Sequence, residues 1–231
     1  MRMKSDLPKV LHPLGGKPLV NHVIDTVRSS GIEDIIVVVG YSGELVIQSL
    51  PPGVSSVWQR EQKGTGHAVM QAEESLRGFD GPLYVACGDV PLISAATIDR
   101  MLAEAAKPGV MAVVLSMVPA GPTGYGRIVK DADGTLSRII EEKDASDEEK
   151  RITEVNTGTY VFNREILFRG LRTVTTNNAQ GEYYLPDVFD YIKKAGGKTG
   201  IICLDDPIEG SGVNSPEELR RLEEYLNKRG N

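Results

Sequence analysis

Cysteine is scarce in this 231-residue chain: Cys87 and Cys203 lie far apart, each in an apolar run, and no CxxC occurs. A disulfide framework and a thiolate zinc site are excluded, and buried, reduced thiols in a cytoplasmic protein are expected. His12, His22 and His67 show no pairing at metal-ligand spacing, and no Ser-His-Asp or Cys-His arrangement can be argued. Zinc and nucleophilic hydrolase chemistries therefore lack support. Basic runs are missing too. With a net charge of −6, neither nucleic acid nor an anionic membrane surface is an expected partner. No signal peptide and no apolar stretch of transmembrane length occurs, so the chain reads as soluble, without membrane insertion. It also has no internal repeat, low-complexity tract or long linker, and its length allows one large core or a domain with a smaller lobe.

What is present is alternation. Helices are expected over residues 18–30, 43–50, 66–76 and 95–106, and strands over 35–39, 54–58, 83–87 and 111–118. Continuous β-branched runs such as Ile35 to Val39 read as strands buried on both faces, and this order predicts a parallel, doubly wound α/β sheet. The rhythm then changes. Segments 127–130 and 135–142 flank Asp133-Gly134, a hairpin signal. An acidic loop or short helix over 144–150 follows, then a strand over 154–162, a helix over 183–195 and a strand over 199–204. A last helix begins after Ser215, with Pro216 at its first position and Glu218 completing a capping-box pattern. The chain thus divides into a nucleotide-binding half over 1–119, a more antiparallel half over 120–214 and a terminal helix over 215–231.

Asp6-Leu7-Pro8-Lys9-Val10-Leu11-His12 carries the strongest local signal. Pro8 fixes its own φ and keeps Leu7 extended, so the Lys9 ammonium is aimed, as an anion-binding lysine must be. Gly88-Asp89-Val90-Pro91-Leu92 follows a buried strand, and open α/β sheets place ligand-binding groups at that end. A fixed cation and a strand-end carboxylate together suggest a phosphate with a divalent metal. Gln59-Arg60-Glu61-Gln62-Lys63-Gly64-Thr65-Gly66-His67 joins a strand to a helix. Its glutamines carry the donors and acceptors that reading a nucleobase edge requires, and its glycines allow close backbone approach; an ordinary turn fits as well. Gly126 suits either a sugar or phosphate contact or a loop closure, and Glu141 either sugar hydroxyls or solvent. Asn156-Thr157-Gly158 reads as polar function or as a bulge in an otherwise β-rich strand, and Asn178 to Tyr184 as a cap. Asn214 could simply belong to the turn before Ser215.

In order, the motifs DLPKVLH, QxxQxGTGHA, GDVPL, PTGYGRI, ExKDA, NTG, NAQGEYY and GVN resemble the uridylyltransferase domain of the bacterial bifunctional N-acetylglucosamine-1-phosphate uridylyltransferases, from Arg2 to about Leu226. The resemblance implies a Rossmann-like nucleotidyltransferase fold, a mixed, mostly parallel sheet flanked by helices with a small antiparallel sugar-binding lobe. It implies Arg2 and Lys9 on the UTP phosphates, Gln59, Gln62, Gly64 and Thr65 at the uridine, and Mg²⁺ on Asp89 and Asn214. Gly88, Gly126, Glu141 and Asn156 would line the sugar-phosphate pocket. The implied substrates are UTP and N-acetylglucosamine 1-phosphate, with a homotrimer in the full-length protein. Members of that family begin with a strand and a glycine-rich phosphate loop and usually continue into an acetyltransferase domain. Met1-Arg2-Met3 falls within the last residues of that loop, and Cys87 stands where tyrosine is common. A chain made from Met1 is therefore expected to be poorly soluble and inactive. A non-catalytic sugar-nucleotide-binding protein, and an enzyme for another sugar 1-phosphate, are the alternative readings.

Overall fold

Runs of β-branched residues lay out the sheets, and glycine and proline punctuate them. The computed structural model describes Ser5 and residues 7–229. A single 3-10 turn, Lys9–Leu11, leads into a minimal hairpin of β1 (Pro13–Leu14) and β2 (Lys17–Pro18), joined by Gly15 and Gly16. Then come α1 (Leu19–Ser29), β3 (Ile35–Val39), α2 (Gly43–Ser49), β4 (Val54–Trp58) and α3 (Thr65–Met70). They are followed by β5 (Pro82–Val85), α4 (Ala95–Ala105), β6 (Val110–Met117), β7 (Arg127–Lys130) and β8 (Leu136–Ile140). The chain continues through β9 (Val155–Asn163), α5 (Arg164–Leu171), α6 (Val188–Lys194), β10 (Lys198–Cys203) and α7 (Pro216–Arg229).

The main sheet has six strands in the order β10-β6-β9-β7-β8, with β5 also bonded to β9. β10 and β6 are parallel, whereas β9 runs antiparallel to β6, β5 and β7, and β7 to β8. β3 and β4 form a separate parallel pair in register from Ile35↔Val54 to Val39↔Trp58. The expected mixed α/β sheet flanked by helices is present, but most of its pairings are antiparallel. Apolar pattern alone does not encode direction, because a strand buried on both faces reads the same in either sense.

Two cores sandwich β6 and β9. Val114, Tyr160, Phe162, Leu167, Leu171, Val188 and Ile192 lie on one side, under α5 and α6. Ile98, Met101, Val113, Leu115, Val155 and Val161 lie on the other, under α4. α1 and α2 pack on β3 and β4 through Val20, Ile24, Val39 and Val46. α7 is held by Leu222 against Leu14, Leu19, Ile208 and Val213.

Some elements differ from expectation. The helix expected over 66–76 ends at Met70, where Ala72 N–H bonds Val69 O and Glu73 N–H bonds Met70 O in tighter three-residue turns. The helix expected from 183 begins as a 3-10 turn at Leu185–Asp187. α5 was not anticipated; Asn163 caps it by accepting from Ile166 N at 3.1 Å.

Candidate active site

Lys9, Asp89 and Asn214, remote in sequence, meet at the end of β5. Lys9 Nζ is ion-paired with the Asp89 carboxylate and donates to Asn214 Oδ1 at 3.0 Å. Backbone contacts build this corner. Val213 N–H donates to Asp89 O at 2.9 Å, which draws the loop before α7 onto the strand end. A Cβ on Gly88 would sit 3.2 Å from Val10 Cγ1, so the lysine-bearing turn lies directly on the strand end that carries Asp89. Glu218 Oε2 accepts from Asn214 N at 2.6 Å, and Ser215 Oγ accepts from Glu218 N at 3.2 Å. The cap of α7 thereby fixes Asn214. Further back, Glu209 accepts from Ser94 N and from the Thr97 hydroxyl, tying the same loop to the start of α4. Asp89 and Asn214 offer hard oxygens of the kind a divalent cation binds, and in this structure both are turned to Lys9 Nζ. No group of three His, Cys, Asp or Glu residues that could hold a metal occurs among the described residues. Arg2 lies outside the described residues.

The glutamine-rich turn follows the paired ends of β3 and β4, where Gln59 N–H donates to Val39 O at 2.7 Å. Gln59 is 9% exposed, and its Nε2 donates to Gly64 O at 3.0 Å. Gln62 Nε2 donates to Gln59 O at 3.0 Å. Gly64 is at φ +100, and a Cβ there would fall 2.6 Å from Tyr183 O, so both conformation and packing demand glycine. Thr65 Oγ1 accepts from Leu185 N at 3.0 Å, and Gly66 N–H donates to Tyr183 O at 2.8 Å. These glycines and the threonine therefore seat α3 against the 182–185 segment. Asn178 staples that segment by accepting from Gln180 N and Glu182 N rather than capping a helix.

Gly126, Glu141 and Asn156 are neighbours. Asn156 N–H donates to Gly126 O at 2.8 Å, and a Cβ on Gly126 would lie 3.4 Å from Glu141 Oε1. Asn156-Thr157-Gly158 is both a bulge and a polar cluster. The register of β9 against β6 shifts there, Gly158 is at φ +77, and the Thr157 hydroxyl donates to Leu115 O at 2.8 Å. Asn156 Nδ2 donates to the Tyr160 hydroxyl at 2.6 Å, while its Oδ1 accepts from Gly158 N at 3.1 Å. Burial, then Asp187, Asp144 and Glu182, raise the Glu141 pKa. Asp187 is pushed up to about 6 by burial, then by Asp190 and Asp144. Cys87 joins the two regions. Its thiol is pushed up to about 12 by burial, with Asp89 and Glu141 adding to the rise and Lys9 opposing it.

The MobA-like NTP transferase domain model matches residues 1–146. The chain belongs to that family. Members of the curated set that it resembles include bifunctional GlmU proteins from Halalkalibacterium halodurans, 47% identical over 230 residues, and Lactococcus lactis subsp. lactis, 45% identical over 230 residues. Each match covers 100% of this chain and 50% of the relative. The GlmU protein of Geobacillus thermodenitrificans is 45% identical over 228 residues. The chain thus spans about half the length of the curated relatives it matches. As an NTP transferase domain, it is a nucleotidyltransferase.

Seen as a transferase site, the region has supporting residues that sequence reading passed over. Tyr160 holds Asn156, and Glu218 holds Asn214. The capping-box pattern marked Glu218, yet its carboxylate reaches Asn214 N, one residue before the cap. Tyr125 lies near Asp89, Glu218 and Gly212, and its hydroxyl is shifted upward chiefly by burial. Cys203 corrects the expectation of two buried thiols: both cysteines are free, but Cys203 is exposed. It falls at the last position of β10, at the strand's exposed end. No helix among the described residues is long and apolar enough to cross a membrane.

Proposed function

We propose that in the native protein this domain transfers a uridylyl group from UTP to N-acetyl-α-D-glucosamine 1-phosphate, giving UDP-N-acetylglucosamine and pyrophosphate in the cytoplasm. The observation that carries this reading is the convergence of Lys9, Asp89 and Asn214, with Asp89, Lys9 and Glu141 all close enough to Cys87 to act on its thiol. Likeness to half of the GlmU proteins supports the choice of substrates. A sugar-phosphate oxygen attacks the α-phosphorus in line, and the bond to the β-phosphoryl oxygen breaks. Lys9 places its charge at the phosphates. Asp89 and Asn214 would hold Mg²⁺, which supplies positive charge against the transferring group and the departing pyrophosphate. Glu141 and Asn156 orient the sugar, and Gln59 and Gln62 the base.

Asp89→Asn tests the assignment by pyrophosphate release from UTP and N-acetylglucosamine 1-phosphate in the native protein. Turnover should fall by roughly a thousandfold or more, with an unchanged circular dichroism spectrum. Wild-type turnover in that variant would remove Asp89 from the mechanism. A native protein that binds both substrates without releasing pyrophosphate would make it a sugar-nucleotide-binding protein. Preference for a different sugar 1-phosphate would change the acceptor alone.

A further inference from the structure

Gln59 is held at its amide by two groups, and only one of them is backbone. Its Nε2 lies 3.0 Å from Gly64 O and 3.1 Å from His67 Nδ1. A carbonyl oxygen only accepts, so the atom facing Gly64 must be the amide nitrogen; the flipped amide would set two oxygens against each other. The second amide N–H then points at His67 Nδ1, which must present its lone pair and leave the ring proton on Nε2. Both Gln59 donors are spent within the protein. Its Oε1 has no partner among the described residues and is not sealed from solvent.

On the other edge of the ring, Gln71 Nε2 donates to His67 O at 3.0 Å and lies 3.3 Å from His67 Nε2. A neutral imidazole accepts at one nitrogen only. The shorter contact, made by the buried Gln59, takes that lone pair, and the partly exposed Gln71 amide yields. The His67 ring is stacked on Tyr183, with centroids 6.2 Å apart and planes at 29°.

We propose that His67 is a positioning residue for base selection: its Nδ1 lone pair orients Gln59 so that Oε1 is the atom offered to the base. This rests on the uridylyl-transfer reading. Uracil carries a proton on N3, which an amide oxygen accepts; neutral cytosine has a lone pair there, which the same oxygen repels. Gln62 is held by Nε2 on Gln59 O and the Thr65 hydroxyl accepts from Leu185 N, and neither has a ring nitrogen behind it to fix which atom it offers.

Calorimetric dissociation constants for UTP and CTP test the proposal without requiring turnover. His67→Phe keeps the ring against Tyr183 and removes the acceptor. The UTP preference should fall by about two- to tenfold, the share of one neutral hydrogen bond. His67→Asn places an amide oxygen near the Nδ1 position and should restore the preference. His67→Gln, which leaves nothing there, should behave as Phe does should that variant fold poorly. In the wild type, nitrogen-15 correlation spectra at mildly alkaline pH should show the Nε2–H tautomer. An unchanged ratio in the Phe or Gln variant, a loss in Asn equal to that in Phe, or an Nδ1–H tautomer would overturn the proposal. A wild-type protein with no preference for UTP would instead overturn the reading of the base site, and this proposal with it.

Discussion

Arg127 is 1% exposed and is the largest side chain among those the fold buries completely. Its guanidinium faces the Glu142 carboxylate at 2.6 Å and donates to Tyr125 O. Arg127 Nε and Glu142 Oε2 have no hydrogen-bond partner, so the contact with Glu142 is charge against charge rather than a directed bond. This pairing fixes the chain beside Glu141, the next carboxylate along. On the proposed function, Glu141 and Asn156 contact the sugar phosphate rather than the nucleotide. On that assignment, alanine at either position should raise KM for N-acetylglucosamine 1-phosphate about tenfold or more while leaving KM for UTP within about twofold, with Asn156→Ala also releasing the Tyr160 hydroxyl and Gly158 N. The pH dependence has a defined sign. Because the Glu141 pKa is raised, the carboxylate takes up its proton early as pH falls, and affinity for the sugar phosphate should weaken before affinity for UTP. Separate Michaelis constants measured across pH would check this. The reverse pattern would show that the two sides are exchanged.

At the level of elements, β3 and β6 were legible because their apolar runs are bounded by glycine or polar residues, although of β3, expected to be buried on both faces, only Val39 is buried. The hairpin of β7 and β8 was legible from Asp133-Gly134. α5 was hidden because strand passes to helix at a lone asparagine cap, without glycine or proline to mark the change. Candidate site residues could be proposed one by one from the sequence, but the contacts that support them could not. That Val213 N–H bonds Asp89 O, or that Glu218 reaches Asn214 N, depends on backbone placement that no local pattern records. The cap of α7 shows what this hides, since one carboxylate serves both helix and site. Glu218→Gln retains a hydrogen-bond acceptor but loses its charge at the helix N-terminus, and should cost about 0.5–1 kcal/mol in denaturant unfolding. Glu218→Ala also frees Asn214 and should raise the Mg²⁺ concentration needed for half-maximal turnover severalfold. If the Ala variant loses stability without any shift in that concentration, Glu218 is a cap and nothing more.

Across the whole molecule the two sheets are unequal. β6 is buried from Ala112 to Met117, and β9 lies between β6 on one side and β5 and β7 on the other. In β3 only Val39 is buried, β4 has no fully buried residue, and among the described residues the two strands bond only each other. A two-stranded sheet has little stability of its own, and this one leans on α1 and α2 through Val20, Ile24 and Val46. Its ends nevertheless carry the glutamine turn proposed to hold the base, because Gln59 N–H closes onto Val39 O where the two strands finish. Local opening should therefore be concentrated at the proposed nucleotide side. Amide hydrogens of Val37, Val39 and Val57 should exchange faster than those of Val113, Val114 and Val161, by roughly a factor of ten or more. UTP should then slow exchange in β3 and β4 far more than in β6 and β9, because a ligand bonded to the turn resists the opening of the strands that hold it. Native-state hydrogen exchange, with and without UTP, measures both quantities. Equal protection of the two sheets in the free protein would show that the pair is not the weaker unit. Slowing by UTP that is uniform over both sheets would show that nucleotide binding stabilises the molecule as a single body.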